Sequence, residues 1–361
     1  MRQLILALLL SAAAPLSAAL TGTVMNMDGQ PVAGARITIH GYESEEARRE
    51  RLLSATPERP SLAAVETDSK GNFTFESPES PVVLLAVSAP GYVPATRLVE
   101  RDEFAGVIPL TAASMKQGTV RAGGKPLADA IVVARFGAFD YIVRTNDKGQ
   151  YSVPESRALS LLVVHPDYST EQPVQQQMTP TMPSLNLTLT PKVAVQGRVV
   201  AADGSPVAAA TVHADQWPVA TTGEDGTFSA RVSSNWRSLS ARNGNSFGSH
   251  TRGRETSPTI RLTPLTTISG RVTDTGSGSA IAGAIVNANP GRLGPGGSID
   301  SAQTDAKGAF SLFVPAGSYV LAASHPSYEL ALQPAATAPA QKTSKDLSLT
   351  QYARVSGTVM D

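Results

Sequence analysis

One pattern recurs four times along the chain and leaves little freedom in how it folds. The segments Gly29-Gln-Pro-Val-Ala-Gly-Ala35, Gly124-Lys-Pro-Leu-Ala-Asp-Ala130, Gly204-Ser-Pro-Val-Ala-Ala-Ala210 and Gly278-Ser-Ala-Ile-Ala-Gly-Ala284 align without a gap, and each reads as a turn running into a strand. A short apolar strand precedes every turn and carries a glycine, at Gly22, Gly118, Gly197 and Gly270. A second signal follows each turn: Thr67-Asp-Ser-Lys-Gly71-Asn-Phe73, Thr145-Asn-Asp-Lys-Gly149-Gln-Tyr151, Thr222-Gly-Glu-Asp-Gly226-Thr-Phe228 and Thr304-Asp-Ala-Lys-Gly308-Ala-Phe310. Asp, Asn and Gly at these places suit a hairpin turn with positive φ at the last glycine, after which an aromatic opens the next strand. Phe73 and Phe75, Tyr151 and Val153, Phe228 and Ala230, and Phe310 and Leu312 then alternate as in half-buried antiparallel strands.

Markers stand roughly 75 to 95 residues apart, room for about seven short strands in two sheets. Thirty Gly and 26 Pro with only 17% charged residues agree with short strands and tight turns. The expected fold is therefore all-β, a string of small seven-stranded Greek-key β-sandwiches. Unit 1 spans 20–114 and carries a charged insertion at 43–62; unit 2 spans 115–192, unit 3 193–265 and unit 4 266–352. Residues 353–361 repeat a first strand, as if a fifth unit were cut short. Each unit should keep its own apolar layer, centred on Ile37 and Phe73, Val132 and Tyr151, Val212 and Phe228, and Val286 and Phe310. Short junctions at 111–115, 191–193, 264–266 and 351–353, two of them with Pro, predict an elongated, bent rod with small interfaces.

Residues 1–19 read as a secretory signal: Arg2, an apolar run from Leu4 to Leu10, and small residues ending Ser17-Ala18-Ala19. The mature chain is expected to begin at Leu20 or Ala19, with no membrane-spanning helix after it. The absence of cysteine excludes disulfides, thiolate metal sites and a lipidated mature N-terminus. An exported chain without disulfides fits a bacterial periplasm, outer-membrane surface or extracellular space. Thirty basic residues balanced by 30 acidic ones offer no electrostatic case for nucleic acid.

The recurring pattern G-x-V, G-x-P-[VL]-x-x-A, T-D-x-x-G-x-F and P-G-Y, the last at Pro90-Gly-Tyr92 and nearly so at Pro166-Asp-Tyr168 and Pro326-Ser-Tyr328, resembles the carboxypeptidase regulatory-like domain. That family is also described as transthyretin-like or prealbumin-like, and it is related to the Cna B-type modules. The resemblance covers almost all of residues 20–352 and implies a transthyretin-like, carbohydrate-binding-like sandwich. It implies stalks, spacers, accessory domains of peptidases or extensions of outer-membrane receptors rather than one function. Cna B-type modules sometimes carry a Lys-to-Asn cross-link, for which Lys116 and Asn186 stand in the first and last strands of unit 2 without a counterpart in other units.

Few residues suggest chemistry. The five histidines, His40, His165, His213, His250 and His325, are scattered over different units, and His165 and His325 hold equivalent corners where packing or turn capping is expected. No zinc-peptidase motif, nucleophile elbow or phosphate loop occurs, so no catalytic residue, cofactor or metal is expected. Asp68, Asp147, Asp225 and Asp305 lack the ladder of oxygen ligands that calcium prefers and read as turn residues. In the insertion, Ser44 should cap a brief helix with Glu45 and Glu46 in its first turn and Arg48, Arg49 and Arg51 near its end. A solvated charged helix over the sheet edge is the expectation, a docking surface the other reading. Trp217, expected to face outward, and Trp236 are the candidates for stacking on a sugar.

The sequence thus points to a non-catalytic, exported modular region acting as stalk, spacer or adhesion module of a larger envelope protein. Its partners would be cell-surface or extracellular carbohydrate or protein and downstream domains of the same chain. An array of carbohydrate-binding modules is the rival reading, and the regulatory part of a peptidase or the extension of an outer-membrane receptor a third.

Overall fold

The computed structural model describes residues 19–76, 78–101, 104–156, 159–169, 174–176, 185–290, 299–338 and 341–353. The signal segment through residue 18 and the closing segment Val355–Asp361 lie outside the described residues.

Each unit builds two facing sheets. In unit 1 one sheet runs in the order Asn72–Glu76, Ala19–Asn26, Phe104–Leu110, and the other in the order Ala63–Glu66, Arg36–His40, Val82–Ser88, Ala95–Glu100. The first strand pairs antiparallel with Asn72–Glu76 and parallel with Phe104–Leu110. Units 2 and 3 repeat the plan, with first strands Met115–Ala122 and Val193–Val200 between Gln150–Pro154 and Leu187–Pro191, and between Thr227–Val232 and Thr259–Arg261. In unit 4, Thr266–Asp274 lies between Ala309–Val314 and the short parallel strands Lys342–Ser344 and Leu347–Leu349.

The first-strand glycine sets the register. Gly22 stands opposite Phe73, Gly118 opposite Tyr151, Gly197 opposite Phe228 and Gly270 opposite Phe310. In the first three units the partner ring lies across the glycine, where a Cβ would come within 2.5, 2.5 and 2.6 Å of the ring's Cζ. A side chain there would push the ring out of the core in those three units, whereas in unit 4 a Cβ on Gly270 would meet the backbone of Lys345.

A buried threonine ties the sheets together. The Thr67 hydroxyl donates to Val32 O at 2.6 Å and accepts from Ala35 N at 2.9 Å. Thr145 does the same with Leu127 O and Ala130 N, Thr222 with Val207 O and Ala210 N, and Thr304 with Ile281 O and Ala284 N. The loop so held is the one whose apolar residue donates its N–H to the first strand, from Val32 to Val24 O and equivalently from Leu127, Val207 and Ile281.

Immediately after the threonine, Gly71, Gly149, Gly226 and Gly308 have φ of 76°, 68°, 72° and 71°, the left-handed geometry expected of them. The turn itself differs from the expectation. The strands flanking it belong to different sheets, Ala63–Glu66 to one and Asn72–Glu76 to the other in unit 1, so it is a corner between sheets and not a hairpin. The threonine anchors the chain to the neighbouring loop at the point of crossing, and side-chain oxygens close the corner: Asp68 Oδ1 accepts from Lys70 N and Asn72 N, and Asp305 Oδ1 from Lys307 N and Ala309 N. In unit 2 Asn146, not Asp147, does this work.

Four separate apolar clusters result, one per unit, containing Ile37 and Phe73, Val132 and Tyr151, Val212 and Phe228, and Val286 and Phe310. The expectation of a rod is corrected. Unit 1 touches unit 4 directly, through Tyr42 with Ser301 and through Ser327 Oγ donating to Glu100 Oε1 at 2.6 Å, contacts that a linear row of four would forbid.

Thr222→Val keeps the side-chain shape but leaves Ala210 N–H and Val207 C=O unpaired in the interior. A loss of roughly 2–4 kcal/mol in the stability of unit 3 is expected, read by urea unfolding followed through the fluorescence of Trp236, which is buried in the same core. A change within experimental error would show that the latch carries no weight.

Candidate functional site

The charged insertion gathers the other units. Ser44 caps the helix Glu45–Leu52 by accepting from Ala47 N, with Glu45 and Glu46 in the first turn and Arg49 and Arg51 in the last, as the residue order predicts. Leu52, near its end, is fully buried. Beneath it Arg51 donates from Nε to Glu43 Oε1 at 2.6 Å and from Nη2 to Glu43 Oε2 at 3.0 Å, and Arg59 donates to Gly41 O at 2.6 Å. His40 stands 2.8 Å from Pro60 O through Nδ1 and 2.8 Å from Thr38 Oγ1 through Nε2. Since the Pro60 carbonyl only accepts, Nδ1 carries the proton, and burial lowers the pKa of the ring and keeps it neutral.

The insertion does not face solvent as a free charged helix, and that expectation is overturned. Arg48 holds Asp140 of unit 2 through two nitrogens, Nε to Oδ2 at 2.8 Å and Nη2 to Oδ1 at 2.5 Å, while Arg51 Nη2 donates to Asp140 Oδ2 at 3.0 Å. Arg135 Nη2 donates to Glu45 Oε1 at 2.7 Å. Toward unit 3, Arg49 Nη2 donates to Gln216 Oε1 at 2.7 Å, and Glu46 lies 3.4 Å from Arg242 and 3.9 Å from His213. Toward unit 4, Tyr42 hydrogen-bonds Ser301.

Asp140 and Ser301 lie on, and Gln216 immediately before, strands at equivalent places, while Arg135, His213 and Arg242 lie on inner strands. Phe139–Arg144, Trp217–Thr221 and Asp300–Gln303 are each the edge strand of the second sheet in their units, the counterpart of Ala63–Glu66 in unit 1. Edge strands expose unpaired backbone groups and invite association. The insertion thus meets this edge in units 2 and 3, and Tyr42 just before it meets the edge in unit 4.

Burial opposes ionisation of Asp140, but the hydrogen bonds and charge of Arg48 and then Arg51 outweigh it and hold the carboxyl below its usual range. Glu45 is lowered in the same way, against burial, chiefly by Arg135. Asp300 behaves oppositely: burial raises it, against the N–H groups of Phe313 and Ser301. His213 is lowered by burial despite Glu46.

The other candidates are placed as follows. Trp236 is only 6% exposed, packed in the core of unit 3 with the Arg252 guanidinium 5.0 Å from its ring. Trp217 is half-buried on the strand that lies against the insertion helix rather than on an open face. His165 and His325 accept from Asp167 N and Ser327 N through Nδ1 and pack against Tyr168 and Tyr328, ring centroids 5.1 and 5.2 Å apart. Asn186 Oδ1 accepts from Thr119, while Lys116 lies 4.0 Å from Glu155. Among the described residues no cluster of three or more metal-ligating side chains occurs, and no helix is long and apolar enough to cross a membrane.

The sequence profile of the carboxypeptidase regulatory-like domain matches residues 19–107 and 267–350. Units 1 and 4 are carboxypeptidase regulatory-like domains. The two domains share their strand plan, first-strand glycine and threonine latch with the units between them. No curated protein matches the chain. Among solved structures the chain is similar to BcpA, the major pilin subunit of Bacillus cereus, at 11% identity over 92% of this chain and 99% of that one, with a TM-score of 0.23. It is also similar to a streptococcal ancillary pilin at 11% identity over 93% and 100%, with a TM-score of 0.22. The Bacillus anthracis TIE protein matches at 13% identity over 89% of this chain and 69% of that one, with a TM-score of 0.20.

Asp140→Ala takes the two-nitrogen partner from Arg48, whose side chain is 12% exposed, while Arg51 keeps Glu43, and should cost the docked arrangement of units 1 and 2 about 3 kcal/mol. Because the folded pKa of Asp140 is depressed, its contribution is complete above about pH 4, the ordinary Asp value, and disappears as the pH falls through the lower folded value. Thermal unfolding of native protein and Asp140→Asn between pH 7 and pH 2 should show a gap that closes only below about pH 4; a gap independent of pH would remove the ion pair from the account.

Proposed function

We propose that this chain is an exported, non-catalytic modular region of a surface protein, whose carboxypeptidase regulatory-like domains serve as a spacer that sets the position of what the chain carries. The carrying observation is that each unit has its own apolar core and its own latch, while the ion pairs of the insertion, Arg48 with Asp140, Glu45 with Arg135 and Glu46 with Arg242, cross from one unit to another. Such an arrangement sets geometry between modules and assembles no site where reactive groups converge on a substrate. The carbohydrate-binding reading has less support, since one tryptophan is buried and the other lies against the insertion. A signal segment ahead of the first strand agrees with export to a bacterial periplasm or cell surface.

Replacing residues 20–352 by an unrelated β-sandwich array of equal dimensions separates spacer from interaction module. A spacer predicts that surface display and partner binding of the whole protein persist after the exchange. Loss of binding, together with glycan or protein capture by the isolated units that Trp217→Ala abolishes, would favour the interaction reading. The N-terminus of exported protein, read by mass spectrometry, is expected at Ala19 or Leu20; an intact Met1 would contradict export through this segment.

A further inference from the structure

We infer that the insertion of unit 1 is a releasable clasp, from which units 3 and 4 swing away as a body while units 1 and 2 stay joined. The contacts themselves divide in this way. Between units 1 and 2 the interface includes the nearly buried Asp140, and Val93 of unit 1 packs against the apolar cluster of unit 2. At the junction Glu155 N of unit 2 donates to Ser114 O of unit 1, and Ser114 Oγ donates to Glu155 Oε2 at 2.7 Å.

The contacts to units 3 and 4 are of another kind. They combine the close approach of Gly283 to Val82 and Pro81 with side-chain pairs: Glu46, 45% exposed, with Arg242, 27% exposed; Arg49 with Gln216; and Glu100, 41% exposed, with Ser327 and the buried side chain of His325. Among the described residues no strand pairing crosses from unit 1 to any other unit. A cleft of about 210 Å³ between Phe104 and Leu98 of unit 1 and Pro326 and Tyr352 of unit 4 leaves this contact loosely packed. Partly solvated ion pairs are weak and screened by salt, so these contacts part without unfolding either sandwich. Parting converts a folded-back array into a longer one and uncovers the edge strands Trp217–Thr221 and Asp300–Gln303. The release depends on the spacer reading for its use in the cell and not for its occurrence, and the test below reads geometry alone.

A wedge at Gly283 isolates the clasp from the fold. A Cβ there would come within 2.7 Å of Val82 Cγ2 and 3.2 Å of Pro81 in unit 1. Gly283 has φ +80°, and the equivalent residues of units 2 and 3 are Asp129 at 56° and Ala209 at 53°, so a left-handed residue with a side chain is tolerated at this place in the sandwich. Gly283→Asn, a residue suited to that geometry, should therefore leave unit 4 folded and force it off unit 1. The chain has no cysteine, so Met27→Cys and Ser348→Cys place one spin label on each unit without further change.

Pulsed dipolar spectroscopy at low salt should give one narrow distance in the native background. In Gly283→Asn, and in the native background at 1 M salt, a longer and broader distribution should replace it. The variant Tyr42→Phe with Ser327→Ala, which removes hydroxyls and adds no bulk, should shift part of the population the same way and guards against misfolding of the wedge variant. Unchanged distances in the folded variants, or a broad distribution in the native protein at low salt, would overturn the inference.

Discussion

A single hydroxyl in each unit decides how its two sheets meet. The Thr67, Thr145, Thr222 and Thr304 side chains lie 3–6% exposed, and each donates to one backbone carbonyl and accepts from one backbone N–H of the loop that follows the first strand. A loop that leaves one sheet and enters the other has backbone groups that neither ladder can pair, and burying them unpaired would cost more than the turn gains. The threonine satisfies one donor and one acceptor at once. With the loop so fixed, the glycine after it turns the chain to the opposite sheet, and the aromatic two residues later stands opposite the first-strand glycine, its ring lying across that glycine in units 1 to 3.

Much of this was legible in the sequence, because repetition aligned the residues that every unit needs. The first-strand glycine, the left-handed glycines and the aromatics were all visible as repeated positions. Their meaning was only partly visible. Thr67 and its equivalents stood in the aligned motif, but a hydroxyl's partners on another loop leave no periodic trace, and a turn between sheets has the same Asp-x-x-Gly composition as a hairpin. The corner therefore read as a hairpin.

The clasp was hidden for a different reason. The helix in the insertion was predictable from Ser44, its acids and its arginines, since capping and the helix dipole act within one turn. Its partners are single residues such as Asp140, Gln216 and Ser301, which occur once each and obey no repeat. A charged helix with unknown neighbours reads as solvated. What would have raised suspicion is asymmetry: the insertion stands where the other units make short connections, and only unit 1 carries four arginines and five glutamates between residues 43 and 59 at the same edge.

The resulting picture is of four sandwiches that fold by one rule and are arranged by one exception to it. Small-angle scattering of residues 20–352, native and with 43–60 replaced by a short Gly-Ser connector, tests this most directly. The account predicts a native radius of gyration below about 25 Å, near the roughly 20 Å of a single compact body of this length, rising above roughly 30 Å when the insertion is removed. A native value already above roughly 30 Å, or one that does not change on removal, would contradict it.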